Sequence, residues 1–171
     1  MRPALAAALE AVALRLDEHG IPYLLGGSAL LHALGLPGEV GDIDLMLREQ
    51  DRARFEAATT PWWRATTTEP AGRLRGAWKA TLDVNGEEVE GLGGFALGIG
   101  DTTVALPWRG AGTWRCGGAD VPLAAPELWW AVYLVHMSEK ARALEAIVGP
   151  SERVRIAAEL GIDRGLEHKR R

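Results

Sequence analysis

The sequence predicts an α+β fold (mixed α/β): a small mixed sheet with helices on one face, followed by C-terminal helices. Three observations lead there. Helix and strand signals alternate at the start of the chain, an alternating hairpin occupies the middle, and the last part is helical. With 171 residues, the chain is read as one domain, 1–171, with a core at about 21–123 and a helical part at about 124–171.

Residues 3–19 form the first expected helix. Pro3 suits a first turn, Leu5, Leu9, Val12 and Leu16 recur at helical spacing, and Gly20 follows as a stop. Ile21 to Leu25 reads as a short buried strand ending at Gly26-Gly27. Ser28 opens the apolar run Ala29 to Leu36, expected as a helix capped by that serine. Gly35, Pro37, Gly38 and Gly41 mark a loop. Ile43, Leu45, Met46 and Leu47 then form a strand with Asp42 and Asp44 between apolar neighbours, and residues 49–58 a helix.

In the middle, Trp78, Ala80, Leu82 and Val84 alternate with Lys79, Thr81 and Asp83, which predicts a half-buried strand. Asn85-Gly86 is a strong hairpin signal, with the return strand running from Glu87 to about Phe95. Further short strands are expected over Thr102–Trp108 and Gly112–Pro122, with Gly110, Gly112, Gly117 and Gly118 in the turns. Pro126-Glu127 starts a helix drawn to about Val148, and a last helix covers 151–160 before a basic tail that ends in Lys169-Arg170-Arg171.

Composition narrows the function classes. The net charge of -4, with 47% hydrophobic and 25% charged residues, describes an ordinary globular chain and argues against wholesale electrostatic capture of nucleic acid. No DNA-binding groove is expected. One cysteine, Cys116, excludes an internal disulfide and a cysteine-based zinc cluster. The N-terminus lacks a signal-peptide pattern, and the most apolar stretch, Leu128 to Met137, spans only ten residues. A cytoplasmic protein is the expectation.

Asp42 and Asp44, one residue apart on a strand, project to the same face. Paired carboxylates on a rigid element suit Mg²⁺, a hard ion that takes oxygen ligands and often shares them with phosphates. Upstream, Gly26-Gly27-Ser28 sits at a strand-to-helix junction, where glycines let backbone N–H groups approach a phosphate. The serine hydroxyl either caps the helix or donates to a phosphate oxygen. A third carboxylate comes from the hairpin. Pairing across Asn85-Gly86 sets Val84 opposite Glu87, Asp83 opposite Glu88, Leu82 opposite Val89 and Thr81 opposite Glu90. Asp83, Glu88 and Glu90 then share the polar face. Glu90, deeper and flanked by Gly91 and Gly93 that leave room for a ligand, is the first choice for the third acid; Glu88 is the second. His32 reads as an interior histidine, and the seven tryptophans as core or interface residues, with one available to stack on a base. A glycosyltransferase using the Asp-x-Asp would leave Gly26-Gly27-Ser28 unexplained.

Gly26-Gly27-Ser28-Ala29-Leu30 followed by Asp42-Ile43-Asp44-Leu45, then an apolar strand with an acid, resembles the nucleotidyltransferase superfamily of the DNA polymerase β type. Within it the likeness is to small bacterial members, a group of antibiotic-modifying enzymes and toxin–antitoxin or abortive-infection components. Val121 to Leu128 and the helix carrying Lys140 and Arg142 also resemble that group's helical part. The resemblance implies transfer of a nucleoside monophosphate from a nucleoside triphosphate such as ATP to a hydroxyl or similar acceptor on a small molecule, a tRNA end or a protein. It implies two Mg²⁺ ions, with Mn²⁺ as a substitute, on Asp42, Asp44 and Glu90, and a phosphate grip from Gly26, Gly27 and Ser28, with Lys140 as a further contact. The alternative it carries is a catalytically weakened nucleotide-binding regulator of toxin–antitoxin type. The chain departs from the pattern at Gly38-Glu39-Val40-Gly41, where many relatives have Arg-x-Thr, and at Lys140-Ala141 in place of Lys-Asp. The third acid, often aspartate, is a glutamate here.

Overall fold

Short apolar segments joined by tight turns can bury their side chains only by pairing into a sheet and covering one face with helices. A computed structural model describes residues 1–68, 74–136 and 139–162. Helix α1 (Pro3–Glu18) leads through β1 (Tyr23–Leu25) and α2 (Gly27–Ala33) to β2 (Ile43–Leu47), and a short 3₁₀ turn precedes α3 (Arg52–Ala58). Next come β3 (Trp63–Thr68), β4 (Leu74–Arg75), β5 (Trp78–Val84), β6 (Glu87–Gly93), β7 (Ala96–Ile99), β8 (Thr102–Ala105), β9 (Gly110–Cys116) and β10 (Ala119–Ala124). Three helices follow, α4 (Pro126–Val135), α5 (Lys140–Leu144) and α6 (Pro150–Glu159).

The main sheet has seven strands in the order β3-β5-β6-β2-β1-β10-β9, and β4-β7-β8 form a second, three-stranded sheet. Pairing is mixed: β2 runs parallel to β6 and β1 parallel to β10, while β1–β2 and β5–β6 are antiparallel. The α+β expectation is met. Leu5, Leu9, Val12 and Leu16 of α1 are fully buried, and α1 packs along β6 and β10. Each such leucine stabilises the fold by about 1.5–3 kcal/mol relative to exposure. Phe55 of α3 adds to the same layer, beside Leu47 and over Gly91.

The hairpin register is the one read from the Asn-Gly turn, pair by pair from Val84↔Glu87 to Thr81↔Glu90. Asn85 and Gly86 both take positive φ, 56° and 88°, as a two-residue primed turn requires.

Several expectations change. Ser28 is not a helix cap: α2 starts at Gly27 with Gly26 at the N-cap, and Ser28 lies inside its first turn. The expected helix Pro126–Val148 is two helices, because α4 ends at Val135 and α5 begins only at Lys140. Over Gly112–Pro122 the short strands are β9 and β10, with Gly117-Gly118 in the turn between them as expected, though β9 already starts at Gly110. The basic tail lies outside the described residues.

Candidate functional site

Strand β2 carries the site. Ile43, Leu45 and Leu47 point into the α1–α3 layer, which leaves Asp44 and Met46 on the opposite face. Parallel pairing with β6 sets Asp44 directly beside Glu90 and Met46 beside Leu92. Asp42 immediately precedes β2. The three acids read from the sequence are therefore brought to one region of one face. Glu88 shares that face but is exposed, nearer the hairpin turn. An open cavity of about 230 Å³ at the turn is lined by Arg64, Asp83 and Glu88 among others and includes none of Asp42, Asp44 and Glu90.

The β1–α2 junction closes on Asp44 from the other side. The Gly26 N–H donates to the Asp44 carbonyl at 2.8 Å. Gly27 has φ +59°, and a Cβ built there would lie 1.8 Å from Asp44 Oδ2. Glycine is thus required at 27 twice over, by backbone conformation and by the carboxylate pressed against it. Gly26 is equally constrained: a Cβ there would lie 2.1 Å from the Trp129 ring. Ser28 Oγ is buried without a hydrogen-bond partner.

Helix α4 supplies a wall that sequence reasoning missed. Trp129 stacks at a tilt on Phe95 and on Tyr133, with ring centroids 5.6 Å apart in each case. Burial, then the charges of Asp44 and Asp42, push the Tyr133 hydroxyl's pKa up, so its ring belongs to the same neighbourhood. Lys140 Nζ lies 5.4 Å from the centre of that ring. The sequence singled out Lys140, but only the fold brings it here, through the break between α4 and α5.

Electrostatics bind these groups into one unit. Burial, then the charges of Asp42 and Glu90, push the Asp44 carboxyl up to about 7, against the pull of Lys140 and Lys79. Four charged side chains therefore act on one half-buried carboxyl. Glu90, whose charge acts on Asp44, is ion-paired with Lys79 of β5. Among the described residues, no three His, Cys, Asp or Glu side chains stand as a ready-made metal cluster. The donor set is nonetheless of the hard-oxygen type that Mg²⁺ takes, and Asp44 is held in place by the Gly27 cradle.

Gly91 and Gly93 do not open space for a ligand. Their missing side chains point to the other face, where a Cβ at Gly91 would meet Leu47 and Phe55 at 2.9 Å and one at Gly93 the Trp78 ring at 1.9 Å. His32, half-buried at the end of α2, lies near the Met1 amine at 3.3 Å and edge-on to Trp114. No helix of the described residues is long and apolar enough to cross a membrane.

No protein-family model matches the sequence, and no curated protein matches it. Solved structures do match. A Thermotoga maritima protein described as a nucleotidyltransferase superposes with TM-score 0.70 at 21% identity, over 85% of this chain and 93% of that one. The antibiotic-resistance factor ANT(2'')-Ia gives TM-score 0.68 at 19% identity, over 99% of this chain and 98% of that one. The lincosamide antibiotic adenylyltransferase LnuA gives 0.51 at 10% identity, over 86% and 91%. At such identities the likeness speaks for the fold. The protein has the nucleotidyltransferase fold.

Proposed function

We propose that this protein is a divalent-cation-dependent nucleotidyltransferase. It moves a nucleoside monophosphate from a nucleoside triphosphate to a hydroxyl or similar group of a small molecule, breaking the α–β phosphoanhydride bond and releasing pyrophosphate. The observation that carries this reading is the register of β2 on β6, with Asp44 beside Glu90 and Gly27 closed on the Asp44 carboxylate. A small acceptor is favoured because two of the structural neighbours, ANT(2'')-Ia and LnuA, are described as acting on antibiotics.

Asp42 and Asp44, with Glu90 as the third carboxylate, are the residues that would hold Mg²⁺ or Mn²⁺. When bound, such ions neutralise the triphosphate and stabilise the attacking and leaving oxygens of an in-line displacement. The chain's own groups do the positioning, which is most of what phosphoryl-type transfer asks of a protein. Gly27 keeps a side chain away from the Asp44 carboxylate, and Gly26 lets the Trp129 ring close on the same junction, so a triphosphate can come near the backbone there. The buried Ser28 hydroxyl, unpartnered in this structure, is available to donate to a phosphate oxygen. Lys140, above Tyr133, adds positive charge on the same side. A Glu90 carboxylate oxygen is the proposed acceptor of the proton from the attacking hydroxyl.

A second reading has its own observation. With Glu90 paired to Lys79 and no preformed metal cluster among the described residues, a nucleotide-binding regulator of toxin–antitoxin type would need the fold but not turnover. Label transfer from each α-labelled nucleoside triphosphate, with Mg²⁺ and a panel of hydroxylated small molecules, tRNA and protein, separates the two. The enzyme reading expects labelled acceptor that disappears in Asp42→Ala/Asp44→Ala. Binding without transfer to any acceptor favours the regulator, and transfer that survives the double substitution overturns the site.

A further inference from the structure

The hairpin brings a cation to the carboxylates. Lys79, Thr81 and Asp83 share one face of β5, set opposite Leu92, Glu90 and Glu88 of β6. Lys79 is thus a diagonal neighbour of Glu90, a separation that a long side chain spans across an antiparallel pair. Its Nζ forms an ion pair with Glu90 Oε1, and the side chains are 35% and 12% exposed, respectively. The carboxylate is sheltered and the ammonium reaches it from the solvent side. Lys79 also favours the charged form of Asp44, which Asp42 and Glu90 oppose. One ammonium therefore bears on two of the three acids.

We propose that Lys79 is a built-in counter-cation that holds Glu90 in the metal-free protein and must release it before Glu90 can turn to a divalent cation. The proposal rests on the reading of Asp42, Asp44 and Glu90 as one carboxylate set. An ammonium and a dication compete for the same carboxylate lone pairs and repel each other at close range. A bare cation therefore displaces Lys79 at a cost, because the freed ammonium gains no new partner. A triphosphate arriving with the cation supplies that partner through its oxygens. The site thus loads weakly with cation alone and well with cation and nucleotide together. Lys79 is a positioning residue: it acts through Glu90.

Mn²⁺ binding to the whole chain without nucleotide, followed by electron paramagnetic resonance, tests this. Lys79→Met is expected to bind Mn²⁺ about tenfold more tightly than the parent, since one repelling charge beside the ion is gone. Lys79→Arg, which keeps the charge, is expected to stay within about twofold of the parent. Addition of a non-hydrolysable nucleoside triphosphate is expected to narrow the gap between Lys79→Met and the parent. Circular dichroism reports whether each variant is folded, and Lys79→Thr, suited to a strand, replaces the Met variant if that one is not. Mn²⁺ affinity of the neutral variant equal to or below that of the parent overturns the role of Lys79. Asp44→Asn distinguishes the two failures. If it leaves Mn²⁺ affinity unchanged, the carboxylate set itself is wrong; if it abolishes binding while Lys79→Met brings no gain, only the counter-cation role falls.

Discussion

Gly27 lies so close against Asp44 that a methyl group on its Cα would sit 1.8 Å from the Asp44 carboxylate oxygen. The first turn of α2 and the acid of β2 are therefore one unit. Gly27→Ala is expected to lower stability by about 1–3 kcal/mol from the positive φ alone, with the collision adding to that. Nucleotide binding should fall with it, even at temperatures where the variant is folded. Denaturant unfolding and nucleotide titration check both. An alanine variant of parental stability and affinity would mean that Asp44 moves freely away from α2.

The raised pKa of Asp44 fixes the sign of a pH effect. Its folded value is about 7 against an ordinary 3.8, so between those values the native state keeps a proton that the unfolded state has lost. Stability then falls as pH rises through that window. Asp44→Asn removes the penalty. In metal-free buffer the variant is expected to match the parent's Tm near pH 4 and to exceed it at pH 8 by roughly 3–6 °C, for a screened contribution of about 1–2 kcal/mol. A Tm difference independent of pH would contradict this.

Gly91 and Gly93 lie beside Glu90 in sequence yet serve the core. Gly93→Ala would drive a methyl group into the Trp78 ring and Gly91→Ala one against Phe55 and Leu47. Each is expected to cost about 1–3 kcal/mol of stability by overpacking, with nucleotide affinity of the folded protein preserved. Chemical denaturation followed by nucleotide titration separates these effects. Loss of affinity at parental stability would return the two glycines to the site.

Much of this was legible in the sequence wherever a local signal set long-range geometry. The Asn85-Gly86 turn fixed the β5–β6 register, and with it the face shared by Glu90 and Glu88. The Asp42/Asp44 spacing and the glycines before α2 were equally plain. Lys79 was visible too, since it alternates with Thr81 and Asp83 on the polar side, but its partner follows only from the diagonal across the hairpin. What stayed hidden depends on distant packing. Trp129 against Gly26 and Tyr133 beside the acids are fixed by where α4 lands, which no local pattern reports. Strand β3, Trp63–Thr68, is rich in exposed threonines and lacks the apolar alternation that marks β5, so it gave no period to read. Ser28 looked like a cap because serine often is one; Gly27, the residue whose φ the junction needs, moved the helix start ahead of it.

The two hairpin glutamates are ranked by position. Glu90 lies beside Asp44, whereas Glu88 is exposed toward the turn. Glu90→Gln is expected to reduce transfer by at least about 100-fold, the scale on which a positioned general base contributes, while Glu88→Gln stays near the parent. Turnover under saturating nucleotide checks the ranking, and the reverse order would move the third carboxylate to Glu88.

The proposed function stands on Asp42, Asp44 and Glu90 jointly holding the cations that accompany a nucleoside triphosphate. Anomalous diffraction from crystals grown with Mn²⁺ and a non-hydrolysable nucleoside triphosphate tests it most directly. Manganese peaks ligated by Asp42 and Asp44 are expected, with Glu90 released from Lys79 toward one of them and the triphosphate beside Gly27 and Ser28. Nucleotide bound elsewhere, or manganese that leaves Asp44 without a ligand bond, would contradict it.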